Sequence, residues 1–244
     1  MDTEILGATV RTEIGRPANL FYGYKTKGVF ATSAEAQAAG LYVRDANGVD
    51  QTAFEAGDVH FVDLDGDHFV TEADRTVIGD PNPDIYGNIF TTVQYRRFRL
   101  DVRFNYSLGN DIYNYMRQQL ESGSRFMNQT TALARRWQVE GQQTDIPRLS
   151  FQDPMGNSRF SDRWIEDGSY LRLKTVTLSY DLPISSTFLQ GLQFWVQANN
   201  VFTLSRYLGT DPEGAALSAV LGQGIDAGSV PQSRNFMVGI KISL

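Results

Sequence analysis

Apolar and polar side chains alternate along the last eleven residues of the chain, 234–244. Because successive side chains of a β-strand point to opposite faces, this segment predicts a strand whose apolar face is made of Phe236, Val238, Ile240, Ile242 and Leu244. The same alternation predicts strands in five more segments, which are 98–108, 176–182, 193–204 and, more weakly, 7–14 and 88–95. The sequence therefore predicts about six strands, each with one face in an apolar environment.

Two of these segments depart from strict alternation. Asn200 interrupts the apolar face of 193–204. The apolar face of 176–182 meets Arg172 and Lys174 when the alternation is followed upstream. We therefore expect the apolar band of this strand to end before position 174.

The length of the segments separates two all-β architectures. The runs 98–108 and 193–204 span 11 and 12 residues, whereas a tilted strand crosses a bilayer with about 9–11 residues and strands of soluble proteins commonly have about 5–6. We therefore predict an all-β fold, an antiparallel transmembrane β-barrel. Single-chain barrels start at about eight strands, so the chain is predicted to be the C-terminal part of a larger barrel. A soluble β-sandwich or jelly roll is the alternative, because its strands also alternate.

The connections between the predicted strands alternate in length. Arg96-Arg97 and 183–191 are short, and the long connections are 15–87, 109–168 and 205–233. Membrane barrels have short periplasmic turns and long outer loops. We therefore expect the three long segments to be extracellular loops and the end of the chain to lie on the periplasmic side.

Composition narrows the classes of function. The chain has 244 residues, of which 41% are hydrophobic, and it lacks the run of about 18 apolar residues that a transmembrane helix needs. The absence of cysteine excludes disulfides and thiolate metal sites. The net charge of −6 argues against a nucleic-acid partner, because counterion release requires clustered Lys and Arg. The first residues, Met1 to Glu4, do not resemble a secretion signal, so we expect the signal peptide to be absent from these residues.

Six segments carry a family resemblance, and they occur in the expected order along most of the chain. They are FYGYKTKGVF, GDVHFVDLDGDHFVTEADRTVIGDPNPDIYGN, SLGNDIYN, SDRWIEDGSYLRLKTVTLSYDLP, NNVFTLSRYLGTDPEG and GIDAGSVPQSRNFMVGIKISL. The five from Gly57 onward resemble the C-terminal region of SusC/RagA-type TonB-dependent outer-membrane transporters, and the first resembles a segment further upstream in that family.

The resemblance implies a barrel of about 22 strands with a plugged lumen, located in the cell outer membrane and powered through the TonB complex. It also implies a SusD-like surface lipoprotein as a lid that captures glycans or peptides. The plug domain is expected to be absent from these 244 residues. Outer-membrane barrels of this kind usually finish on an aromatic residue, and this chain finishes on Leu244.

A calcium-binding-like segment, 58–75, lies within the first long loop. The ligand positions of a calcium loop fall on Asp63, Asp65, Asp67, the Phe69 carbonyl, Thr71 (directly or through water) and Asp74. His68 stands where glycine is usual, and Asp74 stands where a longer Glu is usual, so we expect weak binding. Three alternating carboxylates repel one another unless something neutralises them. We therefore predict a structural Ca²⁺, and the alternative is an Asp/Gly-rich surface turn without an ion.

Aromatic residues of the predicted outer loops are candidate substrate contacts, because they stack on sugar rings or peptide side chains. They are Tyr113, Tyr115, Trp137, Trp164 and Tyr207. Packing within the loops, or a membrane-interface girdle, is the favoured interpretation of the same residues. Tyr95 and Phe98 flank the short turn and are expected to belong to the periplasmic girdle.

Two carboxylate pairs are candidates for glycosidase residues, since that chemistry needs two carboxyl groups across a sugar ring. The pairs are Glu166-Asp167 and Asp211 with Glu213, and both are interpreted as solvated loop charges. No catalytic residue is predicted, and the chain is not expected to be an enzyme.

Two classes of function follow from the sequence. The first is part of an active importer of oligomeric nutrients, either oligosaccharides or peptides, whose barrel contacts membrane lipid. The second is a calcium-stabilised surface binding or adhesion β-domain without a pore. In an importer we expect selectivity to lie in the long loops, because the polar faces of the strands carry mostly Asn, Gln, Thr and Ser.

Overall fold

The computed structural model describes residues 1–44, 51–184, 188–214 and 220–243 of the chain. Leu244, predicted on the apolar face of the last strand, lies outside the described residues. The described residues form two compact units. The short-strand unit comprises the described parts of Met1–Asn82, Asp111–Glu166 and Ala215–Gly228, and the long-strand unit those of Pro83–Asn110, Asp167–Gly214 and Ser229–Leu244.

Strands dominate the described residues. In chain order they are β1 (Asp2–Ile5), β2 (Ala8–Arg11), β3 (Leu20–Tyr24), β4 (Thr26–Val29), β5 (Tyr42–Arg44), β6 (Gln51–Ala53), β7 (Val59–Phe61), β8 (Arg75–Gly79), β9 (Ile85–Tyr95), β10 (Phe98–Leu108), β11 (Asp111–Asn114), β12 (Ile165–Asp167), β13 (Tyr170–Leu182), β14 (Gly191–Ser205), β15 (Ile225–Asp226) and β16 (Asn235–Ser243). The α-helices among these residues are α1 (Ser33–Ala39) and α2 (Tyr115–Glu121). No helix in the described ranges is long and apolar enough to cross a membrane.

The long-strand unit contains one five-stranded sheet in the order β16-β14-β13-β10-β9. All neighbouring strands are antiparallel, and they have 9–15 residues. A two-residue turn joins β9 to β10, in which Arg96 has a left-handed φ of 55°. The strands predicted at 88–95, 98–108, 176–182, 193–204 and 234–244 are therefore confirmed, and the antiparallel all-β fold with them.

The register makes one face of this sheet continuously apolar. Leu100 pairs with Val93 on one side and Leu178 on the other, Leu178 pairs with Val196, and Val196 pairs with Val238. Val93, Leu178, Val196 and Val238 are 42–79% exposed. A β-sandwich would bury such a face against a second sheet, and the described residues of this unit supply none. Long strands with an uncovered apolar face are typical of a segment of a transmembrane barrel.

A β-bulge corrects the expectation that the apolar band ends before position 174. The register between β10 and β13 shifts at Lys174, because Arg103 pairs with Thr175 and Phe104 with Leu173. One extra residue in a strand reverses the facing of everything beyond it. Leu171 and Leu173 therefore continue the apolar face, and Arg172 lies on the polar face opposite Thr203.

The sixth predicted strand, at 7–14, does not join the long strands. Ala8–Arg11 forms β2 in a separate sheet with the order β1-β2-β3-β8. The tight turn between β1 and β2 has left-handed φ values at Leu6 and Gly7 (51° and 78°). Because β2 has only four residues, it is too short for a membrane-crossing strand.

The predicted long loops contain folded structure with its own cores. One cluster of buried residues includes Phe30, Phe54, Val59 and Phe61. A second includes Phe21, Tyr113, Phe160, Trp164 and Ile225. The described residues also contain three smaller sheets besides the β1-β2-β3-β8 sheet, and these are β12-β11-β15, β4-β7 and β5-β6.

Candidate functional site

The aspartate loop, residues 63–74, connects β7 to β8 in the short-strand unit. Asp63, Asp65 and Asp67 each offer a carboxylate oxygen, and these oxygens lie within 4.8 Å of one another. The loop folds this way because its carboxylates accept from its own backbone. Asp63 accepts from the N–H groups of Gly66 and His68 at 2.7 and 2.9 Å.

Two of the remaining predicted ligands, Asp74 and Thr71, have other partners. The carboxylate of Asp74 is fully buried and accepts from the N–H groups of Leu64 and Thr71, both at 2.8 Å. The Thr71 side chain caps the 3-10 helix Glu72–Asp74. Asp74 is not part of the three-carboxylate group, so the structure brings together three of the four predicted Asp ligands.

His68 occupies the glycine position of the calcium-loop pattern with a φ of 67°. This left-handed conformation is the one that glycine adopts without steric cost. The fold therefore supplies the sharp turn that such a loop needs, although the residue is not glycine.

Opposing effects act on the loop's carboxyl groups. Partial burial raises the pKa of Asp63. The hydrogen bonds from the N–H groups of His68 and Gly66 lower it by more, so this pKa lies below its ordinary value. The N–H of Asp67 lowers the pKa of Asp65, but desolvation and repulsion from Asp67, Asp74 and Asp63 together raise that pKa above its ordinary value. Repulsion among three converging carboxylates is what a hard divalent cation relieves, so the donor chemistry fits calcium.

Four of the five aromatic candidates lie in packed surroundings, and their contact with substrate stays a prediction. Tyr113 and Trp164 are fully buried, where burial also raises the pKa of the Tyr113 hydroxyl. Tyr207 is only 8% exposed, while Tyr115 packs against the second core cluster. Packing within the folded loops, the favoured interpretation, is therefore confirmed for Tyr113 and Trp164.

Trp137 is half-buried, and its Nε1 donates to the Ala31 carbonyl at 3.1 Å. Its ring lies so close to Gly57 that a Cβ at position 57 would approach the ring within 2.5 Å. Trp137 is thus held in place with part of its surface free, and its contact with substrate stays a prediction.

The interpretation of the carboxylate pairs as solvated charges is wrong for Glu166 and Asp211. The Glu166 carboxylate accepts from Arg117 Nη1 at 2.6 Å, and its side chain is 8% exposed. Asp211 is 5% exposed. Both charges are paired with arginine.

A charged cluster on the polar face of the long strands was missed by sequence reasoning. It consists of Arg172, Lys174, Asp211 and Glu213, and we call it the Arg172 cluster. The Arg172 guanidinium pairs with Asp211 and, at 2.5 Å, with Glu213. Lys174 Nζ donates to both Glu213 oxygens at 3.0 and 3.2 Å. Two cations within one strand, and two carboxylates in the connection after the following strand, are the only signal in the sequence.

The Asp211 carboxyl shows how strongly this cluster favours charge. Burial raises the pKa of Asp211. The hydrogen bonds from Arg172 and from the N–H groups of Gln232 and Glu213 lower it by more, so this pKa lies below its ordinary value. The carboxylate is therefore ionised at neutral pH despite its burial.

Aromatic residues lie at the short-turn end of the apolar face. Tyr95 and Phe98 are 65% and 49% exposed and pair directly across β9 and β10. Phe98 also packs against Tyr180, with ring centroids 4.7 Å apart. Aromatic rings at this position are typical of the girdle of a membrane barrel, as the sequence predicts.

Comparison with curated proteins finds relatives in Formosa agariphila. TonB-dependent receptor P3 is 31% identical over 236 aligned positions, and the match covers 93% of this chain and 22% of the relative. TonB-dependent receptor P26 is 29% identical over 249 aligned positions, and the match covers 98% of this chain and 24% of the relative. The chain thus spans less than a quarter of the length of these relatives.

Solved structures also match most of this chain. The RagAB peptide transporter matches with a TM-score of 0.71 and 26% identity, over 97% of this chain and 24% of that chain. The RagAB peptide importer in its closed-closed state matches with a TM-score of 0.68 and 25% identity, over 99% of this chain. No protein-family profile matches the chain.

Proposed function

Because the chain belongs to the SusC/RagA-type TonB-dependent transporters, we propose that it forms part of the barrel of an outer-membrane importer of oligomeric nutrients. The observation that carries this proposal is the apolar face shared by β9, β10, β13, β14 and β16. Its side chains remain 42–79% exposed at Val93, Leu178, Val196 and Val238. Membrane lipid is the partner that such a face requires.

The polar face of the same sheet supports a role as the wall of a water-filled lumen. Thr177 and Gln197 pair across β13 and β14, and Gln193 pairs with Lys241 of β16. The importer would sit in the outer membrane, where no local energy source exists. Uptake through a plugged barrel would therefore depend on the TonB complex and on a plug outside these residues.

The substrate proposal is an oligomer, either a glycan or a peptide, captured together with a SusD-like surface lipoprotein. Peptides are the better supported class, because the matched RagAB structures are described as a peptide transporter and importer. The segments 110–167 and 205–232 would contribute to the mouth where lid and substrate meet. The relatives are receptors and transporters, which agrees with a non-enzymatic role.

Calcium would have a structural role in this proposal. Asp63, Asp65 and Asp67 would hold the ion, with Asp74, the Phe69 carbonyl and Thr71 as further oxygen donors in the same loop. Their oxygen chemistry suits calcium rather than a soft metal. The ion would neutralise the three converging carboxylates and so stabilise the loop between β7 and β8.

The experiment that tests the function deletes the full-length gene carrying this sequence and follows growth on a panel of peptides and glycans. Complementation uses the intact gene, a version without the plug, and versions lacking 110–167 or 205–232. We expect only the intact gene to restore uptake, and only with TonB present. Unchanged growth after deletion, or rescue by the plug-less version, would favour a calcium-stabilised binding domain instead.

A further inference from the structure

The connection between β14 and β16, residues 206–234, is bonded to the polar face of the sheet near both of its ends. Its outgoing leg, 206–214, carries Asp211 and Glu213, which pair with Arg172. Its returning leg, 229–234, carries Gln232, whose side-chain oxygen accepts from Lys174 Nζ at 2.6 Å. The two legs are also joined directly, because the Gln232 N–H donates to Asp211 at 3.1 Å. The strand β13 therefore holds both legs at one point.

Burial makes this attachment specific. The Arg172 and Asp211 side chains are each 4% exposed, and Glu213 is 20% exposed. All three nitrogens of the Arg172 guanidinium have an acceptor, since Nε donates to Thr203 at 2.8 Å while Nη1 and Nη2 donate to the two carboxylates. Removing one member would leave a buried charge without its partner, which is strongly unfavourable.

The bulge at Lys174 is what places Arg172 in this position. In a regular strand, Arg172 would share a face with Val176 and Leu178 and would point to the apolar side. The extra residue turns Arg172 to the polar face, in register with Asn105 and Thr203. Bulges frequently re-aim a side chain in this way next to functional sites.

We propose that Arg172 is a positioning residue that folds both legs of the 206–234 connection inward, so that 206–214 and 229–234 form part of the wall of the transport path. The inference rests on the proposed function, because the polar face becomes a lumen only in a closed barrel. Without the Arg172 cluster, the legs would lose their attachment to β13 and would move into the path. A mobile segment obstructs a long oligomer more than a short one.

Trypsin offers a direct test, because Arg206 and Arg234 bracket the connection and are the only Lys or Arg residues in 206–234. Both residues are exposed. In the purified full-length protein, Arg172→Met should speed cleavage at both sites by about tenfold or more, since proteolysis follows the population of the open form. The matched control is Arg99→Met, because Arg99 lies on the same face and pairs only with Asp101 of its own strand among the ion pairs of the described residues. Equal cleavage of wild type, Arg172→Met and Arg99→Met would overturn the proposal.

Charge reversal separates this role from a general loss of structure. Arg172→Asp combined with Asp211→Arg should regain part of the protection that either single change removes. If Arg172→Met does not assemble, Gln232→Ala provides the second variant, because it removes only the Lys174 contact of the returning leg. It should speed cleavage at Arg234 more than at Arg206, and equal rates at the two sites would contradict the proposal.

Uptake of a graded series of peptides tests the path itself. Arg172→Met should lower uptake of long peptides more than uptake of short ones, and an unchanged ratio would refute the placement of the legs in the path. If wild type shows no TonB-dependent uptake of any oligomer, the proposed function fails. The trypsin result would still decide whether Arg172 holds the connection.

Discussion

Trp195 of β14 lies across Gly239 of β16, its register partner on the polar face. A Cβ at position 239 would overlap the indole ring, so only glycine leaves room for this arrangement. The large ring covers the backbone of the strand at the edge of the described sheet. Packing of this kind between two strands helps to fix their register.

Gly239→Val should therefore destabilise the barrel by about 1–3 kcal/mol, the usual cost of overpacking. The measurement is the temperature at which the heated full-length protein no longer migrates as the folded form in gel electrophoresis. Gly191→Val is the matched control, because the nearest atom to a Cβ at 191 lies 3.7 Å away. Trp195→Ala should restore part of the stability of Gly239→Val, and equal effects at 239 and 191 would contradict this account.

Alternation predicts the long strands well because each of them has one apolar and one polar face along its length. The strand predicted at 98–108 has the same bounds in the structure, Phe98–Leu108. The pattern does not reveal the extra residue at Lys174, because an insertion changes only the phase of the alternation. As a result, the facing of Arg172 was predicted on the wrong side.

Long-range contacts explain the other differences. The pair Arg172–Asp211 joins residues 39 positions apart, and no local pattern encodes such a contact. Trp164 and Tyr113 lie in segments without clear periodicity, so the sequence places them in loops although they belong to one buried core. The convergence of Asp63, Asp65 and Asp67 was predictable because these residues are close together in the chain.

The apolar face should not tolerate charge. Val238 is 79% exposed on that face, and Val238→Arg near the bilayer midplane should cost roughly 2–4 kcal/mol. Lys241→Arg is the control, because Lys241 pairs with Gln193 on the polar face of the same strand. Assembly of both variants in the outer membrane measures the difference. Equal tolerance, or a soluble monomer without detergent, would exclude the barrel.

Arg148 provides a test of burial in the short-strand unit, because it binds one buried and one exposed carboxylate. Asp58 is fully buried and accepts from Arg148 Nε and Nη2, both at 2.9 Å. Glu55 accepts from Nη1 at 2.8 Å and is 68% exposed.

Asp58→Ala should destabilise this unit by about 3 kcal/mol, the lower end for a broken buried pair, because Arg148 keeps some contact with water. Glu55→Ala should cost less than about 1 kcal/mol, as exposed pairs do. Resistance of the full-length protein to proteolysis during stepwise heating measures both. Similar effects of the two variants would mean that burial does not determine the strength of these pairs.

Calcium should bind the aspartate loop weakly, with a dissociation constant of about 10⁻⁴ to 10⁻³ M, as in extracellular modules. The reason is that three carboxylate oxygens lie within 4.8 Å of one another, while Asp74 is already held by two backbone N–H groups. Calorimetry on the chelator-treated full-length protein should show binding that Asp65→Ala abolishes. Glu72→Ala should leave it unchanged, because Glu72 pairs with Arg75 and is not a predicted ligand. No calcium-dependent heat up to about 10 mM, which lies above the expected range, would mean that the loop is held by its own backbone hydrogen bonds alone.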